Sequence, residues 1–127
     1  MTQEEKQLLL KDICARLPYG IKTSNGHGIL KLSPRTDIIY IVDNGHIPYL
    51  RPMSSMTDEE KKIMISYGFE LIPYDTGHTG FANIENYIDE VSFRFMEEFL
   101  NSNHFDYRGL IPMGLALEAK EGMYKNE

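Results

Sequence analysis

Ile38-Ile39-Tyr40-Ile41-Val42, set between Asp37 and Asp43-Asn44-Gly45, is the longest unbroken Val/Ile/Leu/Tyr run in this chain of 127 residues. Consecutive apolar positions with no polar break point to a strand covered on both faces, so the run is read as the centre of a sheet. Asn44-Gly45 closes it, because both residues tolerate positive φ. Upstream, residues 21–23 and 28–32 are strand-like pieces bounded by the turn formers Ser24-Asn25-Gly26-His27 and Ser33-Pro34-Arg35-Thr36. Residues 21–43 are therefore predicted to be a three-stranded antiparallel meander. Downstream, residues 47–56 carry Pro48 and Pro52, which lack backbone donors and bias their predecessors away from helix. That segment is predicted to be an ordered, extended connection.

Helical spacing frames this sheet. In residues 2–17, Leu10, Ile13, Cys14 and Leu17 fall on one face and Lys6, Lys11, Asp12 and Arg16 on others, which predicts an amphipathic helix buried along the first set. Thr2 with Glu5 has capping-box spacing, and Pro18 and Gly20 end the helix. Thr57-Asp58-Glu59-Glu60 is a second capping box with acids in the first turn, opening a short helix to Tyr67 that Gly68 caps. Residues 69–74 read as a fourth strand. From Ile84 to about Leu100, apolar residues recur at helical period and predict the longest helix, and a short last helix is expected over 107–113 with Gly114 as its stop. The chain is expected to fray after about residue 120. The expected architecture is a single α+β domain over residues 1–127, ordered α-β-β-β-α-β-α-α. Its antiparallel sheet has about four strands and is covered mainly on one face by the first and third of three to four helices. Its expected core is Leu10, Ile13, Leu17, Ile39, Ile41, Ile63, Leu71, Val91, Phe95 and Phe99, and truncating a buried Phe95 to Ala should cost about 3–5 kcal/mol.

Composition narrows the function. Thirteen basic residues against nineteen acidic give a net charge of −6, unevenly divided: +1 in residues 1–63 (nine basic, eight acidic) and −7 in residues 64–127 (four basic, eleven acidic). A surplus of acid argues against a general phosphate-backbone binder, since that task needs clustered Lys and Arg. One cysteine cannot make an internal disulfide or a multi-cysteine metal site, which together with a polar, acidic start and no long apolar run makes the cytoplasm the expected compartment. No nucleic acid held by direct phosphate binding, no membrane contact and no cofactor is expected.

Two copies of Asp-x-Gly-His, Asp43-Asn44-Gly45-His46 and Asp75-Thr76-Gly77-His78, each come after an apolar, strand-like segment. On adjacent parallel strands, two carboxylates and two imidazoles would meet at one sheet edge. Such a donor set suits a divalent ion that activates water for hydrolysis, and Asn25-Gly26-His27 adds a third imidazole. The same residue types are also ordinary turn formers, and antiparallel strands would separate the two loops. Cys14 sits in the predicted apolar stripe, where a thiol packs as a small hydrophobe and is a poor nucleophile. Ser54, Ser55 and Ser92 lack the Gly-x-Ser-x-Gly elbow, and Gly26-His27-Gly28 lacks the phosphate-loop lysine. In Asn103-His104-Phe105-Asp106-Tyr107-Arg108-Gly109, Asp106 is suited to cap the short helix after it, Phe105 and Tyr107 to plug a helix joint, and Arg108 to fork onto a carboxylate. The functional alternative is a small anionic ligand held by Arg51, His104 and Arg108, with tyrosines lining its pocket.

Three stretches, residues 8–20 (LLLKDICARLPYG), 48–57 (PYLRPMSSMT) and 104–111 (HFDYRGLI) with 114–119 (GLALEA), resemble a family of small uncharacterised proteins from gut bacteria of the Bacteroides group and their phages and mobile elements. The resemblance covers roughly a third of the chain and implies no activity, cofactor or ligand. Both Asp-x-Gly-His loops, and residues 78–90, lie outside it. The leading expectation is accordingly a non-enzymatic interaction or regulatory module that uses an acidic helical face against a protein partner, or that self-associates. The rival is a metal-dependent hydrolase built on Asp43, His46, Asp75 and His78.

Overall fold

The structure, a computed structural model, describes residues 1–67, 69–73, 79–83 and 90–124, with side chains for 1–67 and 94–124. Helix α1 (Gln3–Arg16) runs through a short 3₁₀ turn, Leu17–Tyr19, into strand β1 (Lys22–Ser24), followed by β2 (Ile29–Lys31), α2 (Ile38–Asp43), β3 (Ile47–Leu50) and α3 (Asp58–Ser66). After these come β4 (Phe69–Pro73), β5 (Thr79–Asn83), α4 (Glu90–Ser102) and β6 (Leu117–Glu118). The fold is α+β, as predicted, but two strands exchange roles. The apolar run at 38–42, read as the central strand, is helix α2. The proline-bearing segment read as a connection supplies β3, one of the two inner strands of the sheet.

Local chemistry explains the exchange. The Asp37 carboxylate accepts the Tyr40 N–H at 3.2 Å and caps α2, and the Ile41 N–H reaches the Asp37 carbonyl at 3.1 Å. At the other end the Asn44 side chain donates to the Tyr40 carbonyl at 2.7 Å and Gly45 takes φ 82. A capped turn at both ends overrides the strand preference of β-branched residues. Only one face of the run is buried, through Ile41 and Val42, while Ile39 and Tyr40 face solvent. Unbroken hydrophobicity here marks a short helix with an exposed apolar side.

The sheet order is β2-β1-β3-β6. Strand β1 runs antiparallel to β2, with Thr23 opposite Leu30, and to β3, with Thr23 opposite Pro48. Strand β6 joins β3 in parallel, with Tyr49 opposite Leu117 and Leu50 opposite Glu118, so the sheet is mixed rather than antiparallel throughout. Strand β4 stands outside this sheet and pairs antiparallel with β5. No helix forms over 107–113. Asp106 instead accepts the Leu110 and Ile111 N–H groups at 2.8 and 2.9 Å, and left-handed Gly109 and Gly114 break the turns on either side.

Both predicted capping boxes close, at Thr2/Glu5 and Thr57/Glu60. The buried face of α1, however, is Leu9, Asp12, Ile13 and Arg16, rotated one residue from the expected stripe: Leu10 and Leu17 are half-buried and Cys14 is exposed. Of the other expected core residues, Ile13 and Ile41 are buried and Phe99 partly so, whereas Ile39, Ile63 and Phe95 are exposed. Leu71 and Val91 lie outside the described side chains. One apolar cluster joins Leu9, Ile13, Ile21, Val42, Leu50 and Leu110, and a second joins Met53, Met56, Met64, Met96, Leu100 and Phe105.

Candidate functional site

Arg16 and Asp12 lie one helical turn apart on the buried face of α1, each with 0% exposure. A charge pair buried there needs hydrogen bonds to offset its lost hydration, and this one makes them at every polar side-chain atom but Arg16 Nη1, which is buried without one among the described residues. Arg16 Nε and Nη2 both donate to the Asp12 carboxylate at 3.0 Å, and Nη2 also reaches the Phe105 carbonyl at 2.6 Å. From the far side Arg108 Nη1 donates to Asp12 Oδ1 at 2.6 Å. The Tyr107 ring is flanked by the Arg16 and Arg108 guanidiniums, 5.3 and 4.6 Å from its centroid, and its hydroxyl donates to Asn101 Oδ1 at 2.8 Å. Burial pushes the Tyr107 phenol above its usual 10.0, against the opposing pull of Arg108 and Arg16. Arg108 thus reaches a carboxylate through one nitrogen, Asp106 caps a turn where the expected short helix does not form, and Phe105 packs in the second core.

Arg51 is spent in the same way. Its guanidinium makes a two-pronged bond to Glu60, at 2.8 and 2.7 Å, and lies 4.1 Å from the Phe105 ring centroid. Burial raises the Glu60 carboxyl, but hydrogen bonds from Arg51 and the Thr57 backbone, with the Arg51 charge, outweigh it and hold the group below its ordinary value. The Arg51 N–H donates to the His104 carbonyl at 2.7 Å, so the two candidate ligand residues are joined through their backbones. His104 itself is buried, adopts φ 62, and stacks on the Tyr124 ring at 3.7 Å.

Arg51 and His104 line one open cleft of about 1130 Å³. It lies where β2, β3 and β6 leave the sheet and where the chain enters β1. Tyr19, Lys31, Glu60, Glu118, Lys120 and Tyr124 share the lining, and Arg108 does not. Of the three residues proposed for an anion, the fold therefore brings two together. Of the segment expected to fray after about residue 120, Tyr124 is docked, and residues 125–127 lie outside the described residues.

The Asp-x-Gly-His residues are only half described. Asp43 ends a helix rather than a strand and pairs with Lys6 at 2.5 Å, and His46 Nδ1 lies 3.0 Å from the Thr23 hydroxyl. Asn25, in the exposed turn that carries His27, donates to the Asn44 carbonyl at 3.4 Å and so ties that turn to the one before His46. Asp75 and His78 lie outside the described residues. Among the described residues, no group of three or more His, Cys, Asp or Glu side chains is placed to hold a metal ion. No helix among them is long and apolar enough to cross a membrane.

Sequence reasoning missed Asp12, Glu60 and Tyr124 as partners of the candidate residues. The first two had signals: Asp12 and Arg16 stand at i,i+4, the spacing of a helical ion pair, and Glu60 is the last residue of a capping box beside an arginine-bearing segment. Nothing local marks Tyr124. No protein-family model, curated protein or solved structure matches this chain.

Proposed function

We propose that the chain is a non-enzymatic interaction or regulatory module, cytoplasmic and of bacterial or phage origin, whose α3–α4 surface docks a basic protein partner. The observation that carries this reading is the exposure of Phe95. Its ring is stacked on Tyr67 at 6.0 Å yet is 51% exposed, with Ile63, one turn before Tyr67, 39% exposed. Helical spacing places Glu59 beside Ile63 and Glu98 beside Phe95. An aromatic and an isoleucine left in water next to carboxylates suit a partner that buries the apolar part and pairs the charges. The −7 charge of residues 64–127 supplies the long-range attraction.

Affinity capture from the native host at low and high salt tests this, with Phe95→Asp alongside. A partner held at low salt, released at high salt and lost with Phe95→Asp supports the reading. Recovery of none at low salt, or binding indifferent to both changes, rejects it.

A second reading is favoured by the convergence of Arg51 and His104 on one cleft: a small anion bound there in competition with Glu60. Titration with inorganic phosphate checks it. Tighter binding to Glu60→Gln than to the wild type is expected, and no binding to either removes the idea.

A further inference from the structure

Beyond β6 the chain forms one wall of the cleft and returns to the sheet at a single residue. The Ala119 N–H donates to the Leu50 carbonyl at 2.8 Å, continuing the β3–β6 pairing. Next comes a turn, closed by the Met123 N–H on the Lys120 carbonyl at 3.0 Å, with Gly122 at φ 79. Residues 120–122 are exposed and make no hydrogen bond to the body among the described residues. Tyr124 then docks. Its phenol oxygen accepts the Lys22 N–H at 3.0 Å and donates to the Tyr49 carbonyl at 2.7 Å. Lys22 and Tyr49 are the next pair after Thr23 and Pro48 in the β1–β3 ladder, so the hydroxyl stands where that ladder stops. Lys22 Nζ holds the Met123 carbonyl at 2.7 Å and lies 5.5 Å from the Tyr124 ring centroid, and the opposite contact is the stack on His104.

We propose that residues 120–124 are a strap that opens as a unit beside the cleft, hinged after Ala119, with Tyr124 as its latch. Residues 120–122 are exposed, so among the described residues the Tyr124 and Met123 contacts are those that local opening must break, and the sheet need not melt. Opening lifts the Tyr124 ring from His104, which is otherwise buried, and clears the side of the cleft next to Arg51. The Tyr124 latch then sets how wide that side of the open cleft becomes.

Native-state hydrogen exchange on the full chain tests the latch, comparing wild type with Tyr124→Phe, which removes one oxygen and keeps the ring stack. The Lys22 amide should exchange about five- to ten-fold faster, the effect of one lost hydrogen bond, and trypsin should cut after Lys120 faster by a similar factor. The Leu32 and Arg51 amides, bonded elsewhere, should keep their rates. Tyr124→Ala should enlarge the same two effects. Unchanged rates at Lys22 and Lys120 overturn the proposal. So does equal acceleration at Leu32 and Arg51, which would make Tyr124 a staple of the whole fold.

Discussion

The Glu60 carboxylate closes the capping box of α3, accepting the Thr57 N–H at 2.9 Å, and at the same time neutralises Arg51. Its ionised form is favoured in the fold, so its proton affinity is lowered from the ordinary 4.5. A carboxyl depressed in this way contributes stability that is fully present above 4.5 and is lost as pH falls through the lowered value. In urea unfolding, the gap between wild type and Glu60→Gln should be constant at neutral pH and close below that point, and a gap that widens in acid would contradict the pairing. Phe95 makes the opposite case. A buried phenylalanine truncated to Ala costs about 3–5 kcal/mol, but one this exposed, with a single ring contact, should cost about 1 kcal/mol or less. A loss of 3 kcal/mol or more by chemical denaturation would show that α4 turns this residue inward.

Helix α2 is the element on which the meander reading failed, and its cap is the reason. Pattern alone cannot separate five consecutive apolar residues in a buried strand from a short helix. The decision rested on Asp37, read as the start of the strand, and on Asn44-Gly45, read as a turn, neither of them read as a cap. Asp37→Ala should therefore destabilise the protein by about 1 kcal/mol and lower its helical circular-dichroism signal, while Ile39→Thr, on the exposed side, should be nearly neutral. Equal losses from the two would restore the strand reading. Helix α1 was legible from its capping box together with its apolar period, and α4 from its period alone. Strand β6, two residues long and paired only with a distant strand, carried no local signal at all. The functional segments split the same way. The structural role of Asp106 could be read from its neighbours, but the partner of Arg108 lies 96 residues away, in a helix face judged by hydrophobicity alone.

Across the whole molecule, two apolar clusters meet at an ion cluster. Arg16, on the helix that builds the first cluster, reaches the carbonyl of Phe105, a member of the second. Asp12 draws in Arg108 from the same loop. This buried carboxylate is the joint of the fold, and it commits Arg108 to architecture and leaves binding to the surface. Removing one partner of a buried ion cluster strands the others without compensation, which costs about 3–5 kcal/mol. The most direct measurement is the unfolding free energy of Asp12→Asn against wild type in urea at neutral pH. The predicted result is a loss of about 3–5 kcal/mol with an unchanged urea slope. A loss of less than about 1 kcal/mol, the range of an exposed ion pair, would contradict the claim that Asp12 holds the two halves together.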